Sequence, residues 1–238
     1  MTAPATSASS AAEGGRRLRL NVSYGSWELL WSHVHLVLVV NAGIAAGCLP
    51  LLAGLAATHQ PWRHPLPFTV LWLCVGPALA GAFGYLERAA DDDGSARAIG
   101  LLRAYRRLFR RAAALWTPYA LLAAVCGTDA VLLRHTAPGL AVCPALALVA
   151  VLAALSGVHA MALAASGEAP PLSPALYLAA PYGVLRRWPL ALLNLALLLA
   201  AAALVARSPL LGLATLPGCA LYAVWRNVRA AGPGGAGG

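Results

Sequence analysis

Few side chains in this chain are suited to chemistry, and they are widely spaced. Asp129, in "VCGTDAVLL", is the one acid lying within an apolar run. A carboxylate at mid-bilayer costs about 2.5–3.5 kcal/mol on insertion scales, so such residues face a cavity or a partner. Asp129 lies four residues before its run ends at Leu133, roughly 6 Å along a helix. Two readings are open. Either it bonds the ends of neighbouring helices or caps the turn at 134–138, or it lines a pocket or proton relay open to the outer side.

His159, in "SGVHAMA", and Asn41 and Asn194 are further polar groups inside apolar runs. Such side chains bond between membrane helices, contributing about 1 kcal/mol or less each, and that role is expected of all three. Ser156 and His159 share a helical face, but no acid joins them and no strained nucleophile turn surrounds the serine. His33 and His35 stand two apart and diverge on a helix. His59 and His64 lie in "THQPWRHPLP", where further ligands are lacking. Cys48, Cys74, Cys126, Cys143 and Cys219 are scattered, form no C-x-x-C pair, and read as small packing residues. No G-x-x-x-x-G-K-[ST] and no H-E-x-x-H occurs. The expectation is a protein that is not an enzyme and holds no metal or cofactor.

The elements that carry these residues can be read from composition. Of 238 residues 60% are hydrophobic and only 11% charged, with a mean hydropathy of +0.71. Soluble domains carry about a quarter charged residues, and this chain has too few to cover a surface facing water. It reads as an all-α, polytopic bundle of membrane-spanning helices. The net charge of +9 comes from 17 basic residues, every one an arginine. Beside apolar runs these are topology signals and not a nucleic-acid footprint. The Arg, Ala, Gly and Pro bias suits a GC-rich, bacterial genome.

A bilayer core of about 30 Å needs roughly 20 apolar residues in a helix. Six spans are expected, at 29–57, 67–87, 112–133, 139–165, 188–206 and 209–225. Residues 1–26 and the Gly-rich 229–238 read as disordered tails. With the N-terminus placed inside, 14 of the 17 arginines fall on the inner side, leaving Arg63, Arg134 and Arg207 outside. That split places both termini in the cytoplasm of a bacterial plasma membrane. Trp27, Trp31, Trp62, Trp116, Trp188 and Trp225 are expected near span ends, in interfacial belts, with Trp72 deeper.

The largest inner segment is "RAADDDGSARAIGLLRAYRRLFRR". Asp91 to Asp93 are candidate caps for a helix starting just after them. Ile99, Leu102, Tyr105 or Arg106, and Phe109 recur at helical spacing, with Arg103, Arg106, Arg107, Arg110 and Arg111 largely off that stripe. This predicts an amphipathic juxtamembrane helix with its apolar face down and arginines snorkelling toward anionic headgroups. A docking surface for a cytoplasmic partner, and a plain positive anchor running straight into the third span, are the alternatives.

Pro50 and Pro77 fall inside expected spans, where proline removes a helical hydrogen bond; Pro118 and Pro144 sit near the starts of theirs. Gly76-Pro77 is expected to kink the second span at its middle. Gly76, Ala80 and Gly84 form a small-residue stripe that lets another helix approach.

In order and spacing these features resemble the YesL family of bacterial membrane proteins, a domain of unknown function. The features are Asn41, Leu49-Pro50, "GPALAGAF" at 76–83, "RAYRRLFRRAA", Asp129 and "LSPALYLAAPYGVLRRWPLALLNLALL". The likeness covers roughly residues 27–206. This chain has a longer stretch between Pro50 and Gly76. The resemblance implies an accessory or regulatory role beside ABC-type sugar-transporter components, and it brings no catalytic residues. A small-molecule transporter or channel using Asp129 and His159 near the broken spans is the alternative. An ABC permease proper is set aside: in "ERAADDDGSA", Arg88 stands where an acid is needed.

Overall fold

The computed structural model describes residues 24–58, 65–91, 99–136, 138–166, 172, 174–207 and 209–230. Among these every regular element is an α-helix, as a chain of this hydropathy requires: lipid offers no partner for backbone N–H and C=O groups, so helices must satisfy them internally. The order is α1 (Tyr24–Gly47), α2 (Leu49–Ala57), α3 (Pro65–Trp72), α4 (Val75–Asp91), α5 (Ile99–Leu133), α6 (Gly139–Ala165), α7 (Pro174–Arg186), α8 (Trp188–Arg207) and α9 (Pro209–Ala230). Three stretches are long and apolar enough to cross a membrane singly: Leu66–Asp91, Ile99–Leu133 and Gly139–Ala165. The count reaches five if two bent pairs are each one span: α1 with α2, bent by 62°, and α7 with α8, bent by 93°. The sixth expected span lies in α9, where side chains are described only from Gly218 onward.

Several boundaries differ from expectation, each for a local reason. The arginine-rich helix and the third span are one helix, α5, of 35 residues. At 1.5 Å per residue it is about 52 Å long, well beyond a hydrocarbon core of about 30 Å. Nothing between Arg111 and Trp116 breaks a helix, since "RRAAALW" holds only helix formers. Consequently Trp116, expected at a span end, is buried in the core at 3% exposure. Asp91 ends α4 and is exposed, eight residues before Ile99, so it does not cap α5. Asp92, Asp93, Trp62, His59 and His64 lie outside the described residues.

Both proline-bearing spans are interrupted, in the turn that precedes each proline. Pro50 is the second residue of α2, behind a break at Cys48, where a missing N–H costs nothing. Pro77 is likewise the third residue of α4, and the interruption falls earlier, at Leu73-Cys74. There the carbonyl of Trp72, last in α3, accepts a hydrogen bond from Trp116 Nε1 at 3.2 Å. The Trp116 side chain lies between Gly76 of α4 and Gly157 of α6; a methyl on either would overlap it. The small-residue stripe of α4 packs on α5, with Gly81 against Tyr105 and Gly84 against Leu108 and Ala104.

Pro118 and Pro181 sit inside α5 and α7 without breaking them. Each removes the donor for the carbonyl four residues back, which is Ala114 for one and Tyr177 for the other. Tyr177 Oη donates to Ala114 O at 3.3 Å, and Tyr119 Oη donates to Tyr177 O at 2.5 Å. Two helices thus fill each other's proline-made gaps. Asn41, at 3% exposure, accepts the N–H of Gly218 at 2.5 Å and ties α1 to α9.

Candidate functional site

One side of α7 closes on α5 through the tyrosine pair. Its other side, at the sharp joint with α8, borders a cavity of about 40 Å³, enough for a few waters or one small polyatomic group. Its walls come from α6, α7, α8 and α9, and four polar side chains line it: His159, Arg187, Asn194 and Asn227. The remaining lining is mostly aliphatic, including Leu155, Val184 and Leu198.

Local sequence explains the shape. Arg187 is the single residue between α7 and α8, and Pro189 stands at the second position of α8, where proline fits a helix start. The chain turns by 93° there. Gly183 lies one turn before Arg187, and a methyl on it would come within 2.8 Å of His159 Nε2. Glycine is therefore what lets the imidazole lie against α7. Asn227 Nδ2 donates to Asn194 Oδ1 at 2.8 Å, joining α9 to α8.

The electrostatics of the cavity are one-sided. Arg187 supplies a guanidinium, and among the described residues no carboxylate lines the space. Among the described residues Arg187 forms no ion pair and the His159 ring no hydrogen bond. Asn194 keeps its own amide N–H groups after accepting from Asn227. The guanidinium is the one charged group on the described wall. Nearby arginines differ: Arg229 stands 3.7 Å from Glu87 and over the Trp225 ring, Trp225 Nε1 donates to Glu87 Oε2 at 2.7 Å, and Arg88 donates to Gly100 O.

Of the residues singled out from sequence, His159 and Asn194 meet in this cavity. Asn41 acts elsewhere, between α1 and α9. Pro50, Gly76 and Pro77 belong to helix starts and packing. Asp129 neither lines the cavity nor caps the turn; it is exposed near the end of α5. The turn is held instead by Thr136, whose Oγ1 donates to Leu133 O at 2.8 Å and accepts from Gly139 N. Ser156 is buried at 1% exposure and its hydroxyl has no hydrogen-bond partner, yet it is not part of the cavity wall. No group of three or more His, Cys, Asp or Glu able to hold a metal occurs among the described residues.

Arg187, Asn227 and Gly183 were not singled out in the sequence. Arg187 reads there as one more positive-inside arginine, Asn227 lies past the apolar part of its helix, and only the 93° bend brings Gly183 to His159.

A second feature marks the same end of the bundle. In α5, Arg103, Arg106, Arg107 and Arg110 are exposed, Arg111 half-buried, and Ile99, Leu102 and Phe109 exposed beside them. The buried stripe is Ala104, Leu108, Ala112 and Leu115; of the expected apolar stripe Tyr105 packs on α4, while Ile99, Leu102 and Phe109 face away from the bundle. In α7, Leu178, Tyr182 and Leu185 are exposed and Leu176, Ala180 and Val184 buried. Trp27, Trp31 and Trp188 are exposed as well. No family model, no curated protein and no solved structure matches this chain.

Proposed function

We propose that this protein is a non-enzymatic, multi-pass membrane component that works at the membrane surface on its arginine-rich side. The observation that carries this is the outward face of α5 and α7. Exposed arginines on α5 stand beside exposed Ile99, Leu102 and Phe109, and α7 turns an apolar face outward at 93° to α8, which carries the expected fifth span. A helix perpendicular to a spanning one runs along the membrane plane, and such a face suits the boundary between headgroups and acyl chains. The arginines suit anionic headgroups, each contributing about 1 kcal/mol near a charged surface.

In this reading the arginine-rich side is the cytoplasmic side of a bacterial plasma membrane, supported by the 14-to-3 division of arginines. Reporter fusions at each terminus test it: activity of a cytoplasm-only reporter at both ends is expected, and activity of a periplasm-only reporter at either end contradicts it. The narrower part of the proposal is an accessory role beside ABC-type sugar-uptake components. Its support is the ordered motifs that resemble the YesL family. Affinity purification from native membranes tests it; enrichment of transporter subunits is expected, and their absence counts against it. Transport by this chain alone has weaker support, because Asp129 stands apart from the cavity that holds His159.

A further inference from the structure

We infer that the cavity at the α7–α8 joint is a binding site for a single phosphoryl group, with the phosphate of an anionic membrane lipid as its occupant. The inference does not depend on the sugar-uptake partner proposed above. The donor set comes first. Arg187 offers a guanidinium with no ion pair among the described residues, Asn194 offers amide N–H groups, and His159 adds a ring nitrogen against Gly183. A cation with several donors and no facing carboxylate attracts an anion of several oxygens, and the planar guanidinium fork matches phosphate oxygens two at a time.

Size and position decide which anion. The space, about 40 Å³, is of the order of one phosphoryl group, so the rest of any ligand lies outside it. It lies at the 93° joint of α8 with α7, whose outward Leu178, Tyr182 and Leu185 mark the headgroup boundary in the reading proposed above. A lipid phosphate stands at that boundary, with its acyl chains along the exposed aliphatic residues of α8, such as Leu192, Leu193 and Leu199. Arg187 differs from the exposed arginines of α5 in lying on a cavity wall beside His159 and Asn194.

The test uses the full-length protein purified in detergent and stripped of lipid. Native mass spectrometry measures retention of phosphatidylglycerol, of diacylglycerol lacking phosphate, and of inorganic phosphate. Phosphatidylglycerol is expected to be retained about tenfold better than diacylglycerol. R187Q is expected to erase that tenfold advantage, the usual weight of a charge-assisted bond, while R103Q on the α5 surface keeps it. N194A, which leaves the charge in place, is expected to weaken retention about fivefold and serves if R187Q does not fold. If inorganic phosphate binds and the lipid does not, with the same dependence on Arg187, the phosphoryl site stands and its source is soluble. Equal retention of both lipids without phosphate binding, or wild-type retention by both R187Q and N194A, overturns the inference.

Discussion

The two sides of α7 answer the same problem differently. Toward α5, two prolines each free a carbonyl and two tyrosines supply the missing donors, so that backbone and side chain close on one another. Toward α8, a guanidinium, an imidazole and an amide line a cavity, and among the described residues their spare donors have no protein partner. The first side obeys the rule that buried polar groups in an apolar medium find partners. On the other side Arg187, His159 and Asn194 are only partly buried, so they can take a partner from outside the protein, the lipid phosphate inferred above. An interruption in a membrane helix is thus no sign of a site by itself. The break at Leu73-Cys74 is filled by Trp116, whereas the joint at Arg187, its backbone bonded to Gly183 and Ala191, borders a cavity.

Four substitutions sharpen this contrast, the largest effect first. Trp116→Ala empties the space between Gly76 and Gly157 and frees the Trp72 carbonyl; a loss of about 3–5 kcal/mol is expected, as for large buried aromatics, read from denaturant-induced unfolding in detergent. Gly76→Ala puts a methyl into the Trp116 side chain and is expected to cost about 1–3 kcal/mol in the same assay. Tyr177→Phe leaves Ala114 O without its donor and is expected to cost about 1 kcal/mol. In a Pro118→Ala background, where the helix recovers its own N–H, that cost should largely vanish; an undiminished cost would show that the tyrosine does not serve the proline gap. Arg187→Gln belongs to the open side and is expected to change the stability of lipid-free protein by less than about 0.5 kcal/mol.

Much of the helical architecture was legible in the sequence because apolar length is a one-dimensional signal. The span at 139–165 coincides with α6, and an all-helical bundle is implied by hydropathy alone. Boundaries set by partners were not legible. A proline reads as a break in sequence, but Pro118 stays inside α5 because Tyr177, 59 positions later, takes up the carbonyl it frees. Trp116 reads as an interfacial tryptophan until α5 is seen to begin at Ile99, which moves it to mid-helix. The candidate site was half legible. His159 and Asn194 stand out as polar residues in apolar runs, whereas Arg187 is hidden among positive-inside arginines and Asn227 lies outside the run. Asp129 stood out most and joins nothing, because a carboxylate one turn from a helix end reaches the surface without a partner.

The central claim is that one side of α7 is a structural closure and the other a ligand site. Its most direct test sets Tyr177→Phe against Arg187→Gln in lipid-free detergent, reading thermal stability and phosphatidylglycerol retention on the same samples. The account predicts that Y177F melts earlier yet retains the lipid per folded molecule as the wild type does, while R187Q melts with the wild type and loses retention about tenfold. If R187Q instead melts early and keeps the lipid, Arg187 is part of the closure and the claim is contradicted.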